Sequence, residues 1–274
     1  MPHPQPLPLL TIAGSDSGGA AGLQADLKTW AALGVYGMSA VTAVTAQNSV
    51  LVQQAHFLPP EMVAAQIDAV LSDYGAAAIK TGFLGRVEIV ETVAERLRYW
   101  VEGGLPTRPT IVIDPVLVNH RGEGMFPPEV AAAYRALLFP LADLVTPNVA
   151  EARLLGVAVD ELGMQGPDRS RGAGEQGGRA RRVLLKGVRR GAEMVDVYWD
   201  GERSIELPQP RIETINTHGS GDTLSAAICA TVALGHDWPE AIRRAQAFTH
   251  AAIRRGATWR LGAGHGPVGV TSDE

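Results

Sequence analysis

The chain has a single cysteine, Cys229, among 274 residues. An internal disulfide is therefore excluded, and so is a zinc centre built from thiolates. The seven histidines show no HxH or HxxxH spacing, so no histidine pair is set up to grip a metal from one strand or one helix turn. Nowhere do apolar residues run on for the ~20 positions needed to span a bilayer. The N-terminal MPHPQPLPLL lacks the basic start and long apolar stretch of a secretory leader. A formal net charge of -5 argues against a nucleic-acid backbone or an anionic membrane as the main partner. The glycine-rich AGSDSGGAAG carries neither of two familiar nucleotide signatures: it is not a GxxxxGK(S/T) loop and has no GxGxxG spacing. A soluble, cytoplasmic protein that binds small molecules is the expectation.

What remains is a globular composition, 46% hydrophobic and 19% charged. Short apolar runs (LPLLTIAG, AAIKTG, TIVIDPV, ADLVTPN and RVLLKG) read as buried strands. Helical periods lie between them. In PPEMVAAQIDAVLSDYG, Val63, Ile67, Val70, Leu71 and Tyr74 fall on one face; GLQADLKTWAALG, VEIVETVAERLRYW and PPEVAAAYRALLF repeat the pattern. Alternating strand and helix predicts an α/β fold, with a mostly parallel sheet and helices on both faces. VYGMSAVTAVTAQNSVLVQQAHFL has no helical period and predicts a strand with a small β flap. MVDVYWDGERSIELPQPRI predicts a hairpin turning at Asp200-Gly201. One domain over 1–274 is expected. Within it, the glycine- and arginine-rich stretch 157–182 reads as a mobile loop or a short frayed helix.

Three groups of residues could carry chemistry. In NTHGSGDTLSAAI a helix starting near Asp222 would leave the amides of Gly219, Ser220, Gly221 and Asp222 as free donors at its positive end, a site for phosphate. The alternative is a turn with Asp222 as an ordinary N-cap. AGSDSGGAAG, between a strand and a helix, is either a ligand loop at the sheet's carboxyl edge or a tight structural turn. Asp114, Asn148 with Glu151, and Lys186 each follow an apolar run and fall at that same edge. The oxygens suit Mg²⁺ and the lysine suits phosphate. Cys229 is expected in apolar packing, and the histidines and Arg179, Arg181 and Arg182 on the solvated surface.

In this order, TIAGSDSGGAAGLQADLKT, AQN, IKTGFLG, DPV, TPNVAEA, LLKG, NTHGSGDTLSAAI and GHGPV resemble the hydroxymethylpyrimidine and phosphomethylpyrimidine kinases of thiamine biosynthesis, within the ribokinase-like superfamily. The resemblance runs from about Leu9 to Val268. It implies ATP- and Mg²⁺-dependent phosphorylation of 4-amino-5-hydroxymethyl-2-methylpyrimidine and of its monophosphate, in a homodimer. It also implies a pyrimidine pocket from Gly14, Asp26, Gln47, Phe83 and Val116. Asp114, Lys186 and Thr217 would meet the phosphates, and Asp114, Asn148 and Glu151 the metal. Three departures stand out. The family commonly has Gly-Thr-Gly-Cys where this chain has Gly219-Ser220-Gly221-Asp222, a methionine at Phe83, and Gly-Gly-His in place of Gly187-Val188-Arg189-Arg190. Asp222 would then be the base. The other readings are a pyridoxal kinase of vitamin B6 salvage and a non-catalytic pyrimidine sensor on the same fold.

Overall fold

Among the described residues, nine strands form one sheet in the order β3-β2-β1-β4-β5-β6-β7-β8-β9. The computed structural model describes residues 5–119, 121–157 and 180–271. The strands are β1 (Pro8–Asp16), β2 (Tyr36–Gln47), β3 (Val52–Phe57), β4 (Ala78–Thr81), β5 (Thr110–Ile113), β6 (Leu144–Val145), β7 (Val183–Arg190), β8 (Glu193–Trp199) and β9 (Ser204–Pro210). Pairing is parallel from β2 to β7 and antiparallel for β3, β8 and β9 at the margins. The β2–β3 ribbon is the expected flap. The β8–β9 hairpin turns at Asp200-Gly201, as its sequence predicts.

The helices are α1 (Gly22–Ala32), α2 (Pro60–Asp73), α3 (Val87–Tyr99), α4 (Pro128–Ala133), α5 (Val149–Leu154), α6 (Ser220–Ala233) and α7 (Trp238–Gly256). The central strands alternate between two cores because successive side chains point to opposite faces. Leu10, Ile12, Ile79, Ile111 and Ile113 pack with α2, α3 and α4. Leu9, Ala78, Val112, Leu144 and Leu184 pack with α1, α6 and α7. Each fully buried leucine, isoleucine or valine among them stabilises the fold by about 1.5–3 kcal/mol.

Helix α6 is buried on all sides from Thr223 to Thr231, with Cys229 in its interior as expected. Trp30 Nε1 of α1 donates to the Ala226 carbonyl at 2.9 Å and pins the two helices together. Val63, Ile67 and Leu71 form the buried face of α2, whereas Tyr74, at its carboxyl end, is exposed and stacks on Tyr36. The stretch expected to be mobile, 157–182, lies outside the described residues except at its two ends.

Candidate active site at the start of helix α6

Helix α6 begins after Gly219, whose backbone is left-handed (φ 79°). No side chain fits there, because a Cβ would overlap the carbonyl oxygen of Ala20 in the β1–α1 loop. The turn leading in is closed by Ser220 N–H donating to the Thr217 carbonyl at 3.1 Å. That corrects the expected set of free donors: Ser220 is occupied by this turn. The amides of Gly219, Gly221 and Asp222 have no acceptor among the described residues. Gly219, not Asp222, is the N-cap; Asp222 is the third residue of the helix.

Two cavities meet at this helix end. The smaller, about 450 Å³, is lined by Gly14, Gln47, Phe83 and Val116 together with Asp222. The larger, about 690 Å³, runs along the β8–β9 hairpin and α7 and is lined by Ser220, Gln209, Gln246 and Thr249. Thr217, Gly221, Lys186 and Asn148 line both. Asp222 faces only the smaller cavity and Ser220 only the larger.

Asp26 departs from expectation. It is fully buried on α1 and lines neither cavity; its carboxylate accepts from Thr11 Oγ1 and Lys80 Nζ, each at 2.6 Å. Burial pushes this carboxyl up to about 7, against the pull of Lys80. Lys80, which sequence reading left inside an apolar strand, also reaches Asp222 Oδ1 at 3.3 Å.

The wall shared by the cavities carries the other lysine. Lys186 Nζ lies 2.8 Å from Asp114 Oδ1, and Ser225 Oγ donates to Asp114 Oδ2 at 2.8 Å. Lys186 is not at a strand end. It sits within β7, where an irregular register after Leu185 lets the strand continue, and it bridges to Asn148. Asn148 and Glu151 close a capping box at the start of α5, each side chain accepting the other's amide at 2.9 Å. Burial pushes Glu151 up to about 7; Lys186 opposes this and Asp114 adds to it. Burial disfavours the Lys186 charge, but Asp114 and then Glu151 outweigh it and hold the ammonium above its ordinary range.

Mg²⁺ binds hard oxygens and keeps much of its water, often using one or two carboxylates plus phosphates. Among the described residues no three acidic, histidine or cysteine side chains converge to hold a metal directly. Asp114, Asn148 and Glu151 nonetheless put two carboxylates and an amide on one cavity wall, with lone pairs to spare beyond their internal bonds. That donor set fits a hydrated magnesium shared with phosphate.

On the small-cavity side, Asp16 accepts the amides of Gly18, Ala20 and Ala21 at 2.8–2.9 Å and fixes the β1–α1 loop. Gly22 is also left-handed (φ 57°), and a Cβ there would meet the Gly14 carbonyl. Gln47 Nε2 and His218 Nε2 lie 3.0 Å apart, and Thr217 Oγ1 is hydrogen-bonded to His265 Nε2 at 2.8 Å. His218 and His265 are thus half-buried cavity residues, contrary to the surface reading of the histidines. Phe83 stacks on Phe57 of the flap, 5.8 Å between centroids, and meets the edge of Phe126 at 5.4 Å. Burial pushes the Cys229 thiol up, which removes it as a nucleophile.

A mostly parallel sheet whose Gly-rich helix start stands between a smaller and a longer cavity is the frame of a ribokinase-like phosphotransferase. A family model described as phosphomethylpyrimidine kinase matches residues 16–269, and the chain belongs to that family. A hydroxymethylpyrimidine/phosphomethylpyrimidine kinase of Rhizobium meliloti is 45% identical over 263 residues, 94% of this chain and 95% of its own length. A Streptomyces coelicolor protein of the same name is 43% identical over 261 residues, 95% of this chain and 93% of its own length. Among solved structures, an ADP complex of Bacillus subtilis pyridoxal kinase matches with a TM-score of 0.81 at 35% identity, covering 97% of this chain and 98% of that one.

Proposed function

We propose that the chain transfers the γ-phosphoryl group of ATP to the hydroxymethyl oxygen of 4-amino-5-hydroxymethyl-2-methylpyrimidine, and then phosphorylates the resulting monophosphate, in thiamine diphosphate biosynthesis. One observation carries this reading: Asp222 faces the smaller cavity alone, Ser220 the larger alone, and Lys186 and Gly221 both. That is the order required for in-line transfer, with base, phosphoryl and nucleotide in succession.

In the first step Asp222 takes the hydroxyl proton as the oxygen bonds to phosphorus and the bond to ADP breaks. Lys186 and the free amides of Gly219, Gly221 and Asp222 hold the phosphate oxygens. Gln47 offers both a donor and an acceptor to an aminopyrimidine edge. Asp114, Asn148 and Glu151 would hold Mg²⁺, which when bound adds positive charge beside the phosphates. In the second step the acceptor is a phosphate oxygen that is already ionised, so no base is needed.

The test is ADP release from Mg-ATP with the pyrimidine, its monophosphate and pyridoxal offered separately. Turnover of both pyrimidines well above pyridoxal is expected. Pyridoxal preference would move the protein to vitamin B6 salvage, the reading favoured by its likeness to pyridoxal kinase structures. Pyrimidine binding without ADP would make it a sensor. Asp222→Asn should lower kcat for the hydroxymethyl acceptor by at least ~10² with KM little changed, and affect the monophosphate less. Two finer points belong to the same reading. The compartment is the cytoplasm, where ATP is supplied, and no helix of the described residues is long and apolar enough to cross a membrane. The unit is a homodimer; half-exposed Val50, Leu51 and Val52 at the edge of the flap supply apolar surface for it, and sedimentation velocity would decide.

A further inference from the structure

Lys80 is a fully buried lysine that lines neither cavity. Its ammonium sits between two carboxylates, 2.6 Å from Asp26 Oδ1 and 3.3 Å from Asp222 Oδ1. Neutralising one lysine takes one acid, and Asp26, itself fully buried, already does so. The second acid is the one that reaches the acceptor cavity. Buried ion pairs are often no more stabilising than apolar residues of the same volume. A cluster of two acids and one cation under the floor of a cavity therefore calls for a reason beyond stability. Gly82 lies directly against it: a Cβ there would be in ordinary contact with Lys80 Nζ (3.5 Å) and Asp222 Oδ1 (3.9 Å), and tight only against Ala13 Cβ (3.0 Å).

We propose that Lys80 is the positioning residue for Asp222, holding Oδ1 so that Oδ2 meets the acceptor hydroxyl, and that Asp26 moderates the pull Lys80 exerts on that carboxylate. The proposal rests on the reading of Asp222 as the base. During the first step the acceptor oxygen forms its bond to the γ-phosphorus, the bond from that phosphorus to the departing ADP breaks, and the hydroxyl proton passes to Asp222 Oδ2. Asp222 becomes neutral, yet Lys80 keeps Asp26 as a partner, so the buried cation is at no stage unpaired. Burial disfavours the Lys80 charge, but Asp26, then Asp222 and Asp114, outweigh it and hold the ammonium above its ordinary range. The charged groups around Asp222 are Lys80 of β4, Asp26 of α1 and, at longer range, Lys186 of β7; Asp114, after β5, acts on the same cluster through Lys80.

The experiment measures kcat and KM for the pyrimidine and its monophosphate, and the pH dependence of kcat/KM, in wild type, Lys80→Met, Lys80→Arg, Asp26→Asn and Asp222→Asn. Lys80→Met should lower kcat on the hydroxymethyl acceptor by ~10² with KM within about twofold, and spare the monophosphate. Its acidic limb should move up by about one pH unit, while that of Asp26→Asn moves down by a similar amount. Lys80→Arg should recover part of the lost kcat. If Lys80→Met does not fold, the downward limb of Asp26→Asn carries the test alone. Limbs that stay at the wild-type position, with equal losses on both acceptors, would show a purely structural ion pair and overturn the proposal. Full turnover by Asp222→Asn would instead overturn the assignment of the base itself.

Discussion

The two cavities at the head of α6 are built differently. The smaller cavity, the acceptor side on the proposed reading, is braced by side chains brought from distant segments: Gln47 on His218, Asp16 on three amides of its loop, and Phe83 between Phe57 and Phe126. The longer cavity is framed by a sheet-edge hairpin and the face of α7. There Gln246 donates to Asp196 at 2.7 Å and to the Leu207 carbonyl, while Gln246 Oε1 and Thr249 Oγ1 have no hydrogen-bond partner among the described residues. A pocket that must tell one small ring from another gains from walls that cannot relax, because pre-organised groups lose little freedom on binding. On the proposed reading the longer cavity takes and releases the same nucleotide in every cycle, and has no such need.

Three substitutions or conditions would break or sharpen that contrast. Lys186 belongs to the wall both cavities share, so Lys186→Met should lower kcat/KM by ~10³ for either acceptor and raise the KM for ATP. A loss confined to one acceptor, seen in steady-state kinetics, would mean the wall is not shared. Phe83→Met touches the acceptor side alone. It removes the stacked brace and should raise the pyridoxal-to-pyrimidine ratio of kcat/KM by ~10-fold with the ATP KM unchanged. An unchanged ratio would show that the aromatic wall does not select the ring.

The smallest effect concerns Asp16. Burial alone would raise its carboxyl, but His218, whose Nε2 stands 3.7 Å away, and the hydrogen bonds from the amides of Ala21, Gly18 and Ala20 outweigh this and hold it below the ordinary carboxylate range. With the folded value below the unfolded one, its contribution is complete above 3.8 and is lost as pH falls through the folded value. On acidification, hydrogen exchange at Gly18, Ala20 and Ala21, corrected for intrinsic rates, should lose protection before the central strands do. Simultaneous loss would show that this loop has no stability of its own.

Much of this architecture was legible in the sequence because the signals were local. Apolar runs gave the parallel strands, absence of a helical period gave the flap, and Asp200-Gly201 gave the hairpin. The glycine-rich helix start was visible in NTHGSGD, and the family pattern pointed to Gly14, Gln47 and Phe83, which line the smaller cavity beside it. The rest was hidden by distance along the chain. Lys80 sits in AAIKTG, where one lysine does not disturb a strand pattern, and its partners lie 54 and 142 positions away. His218 is a lone histidine whose role depends on Gln47, far off in the flap. Lys186 was expected at a strand end because nothing local announces that β7 continues through an irregular register. PPEVAAAYRALLF reads as one helix, yet α4 stops at Ala133 and a wider turn, Tyr134–Leu138, carries on.

The contact of Gly219 with Ala20 has a bearing on how such an enzyme can change. Main chain touches main chain there, so the spacing between the β1–α1 loop and the start of α6 is set by two backbones. Side-chain substitution cannot lengthen or shorten it. A lineage adapting to a bulkier acceptor would have to make room at the far wall, from Phe57, Phe83 and Phe126, and leave this gauge untouched. Diversity among descendants should therefore collect in the flap and its aromatic neighbours, with the glycine seam unaltered.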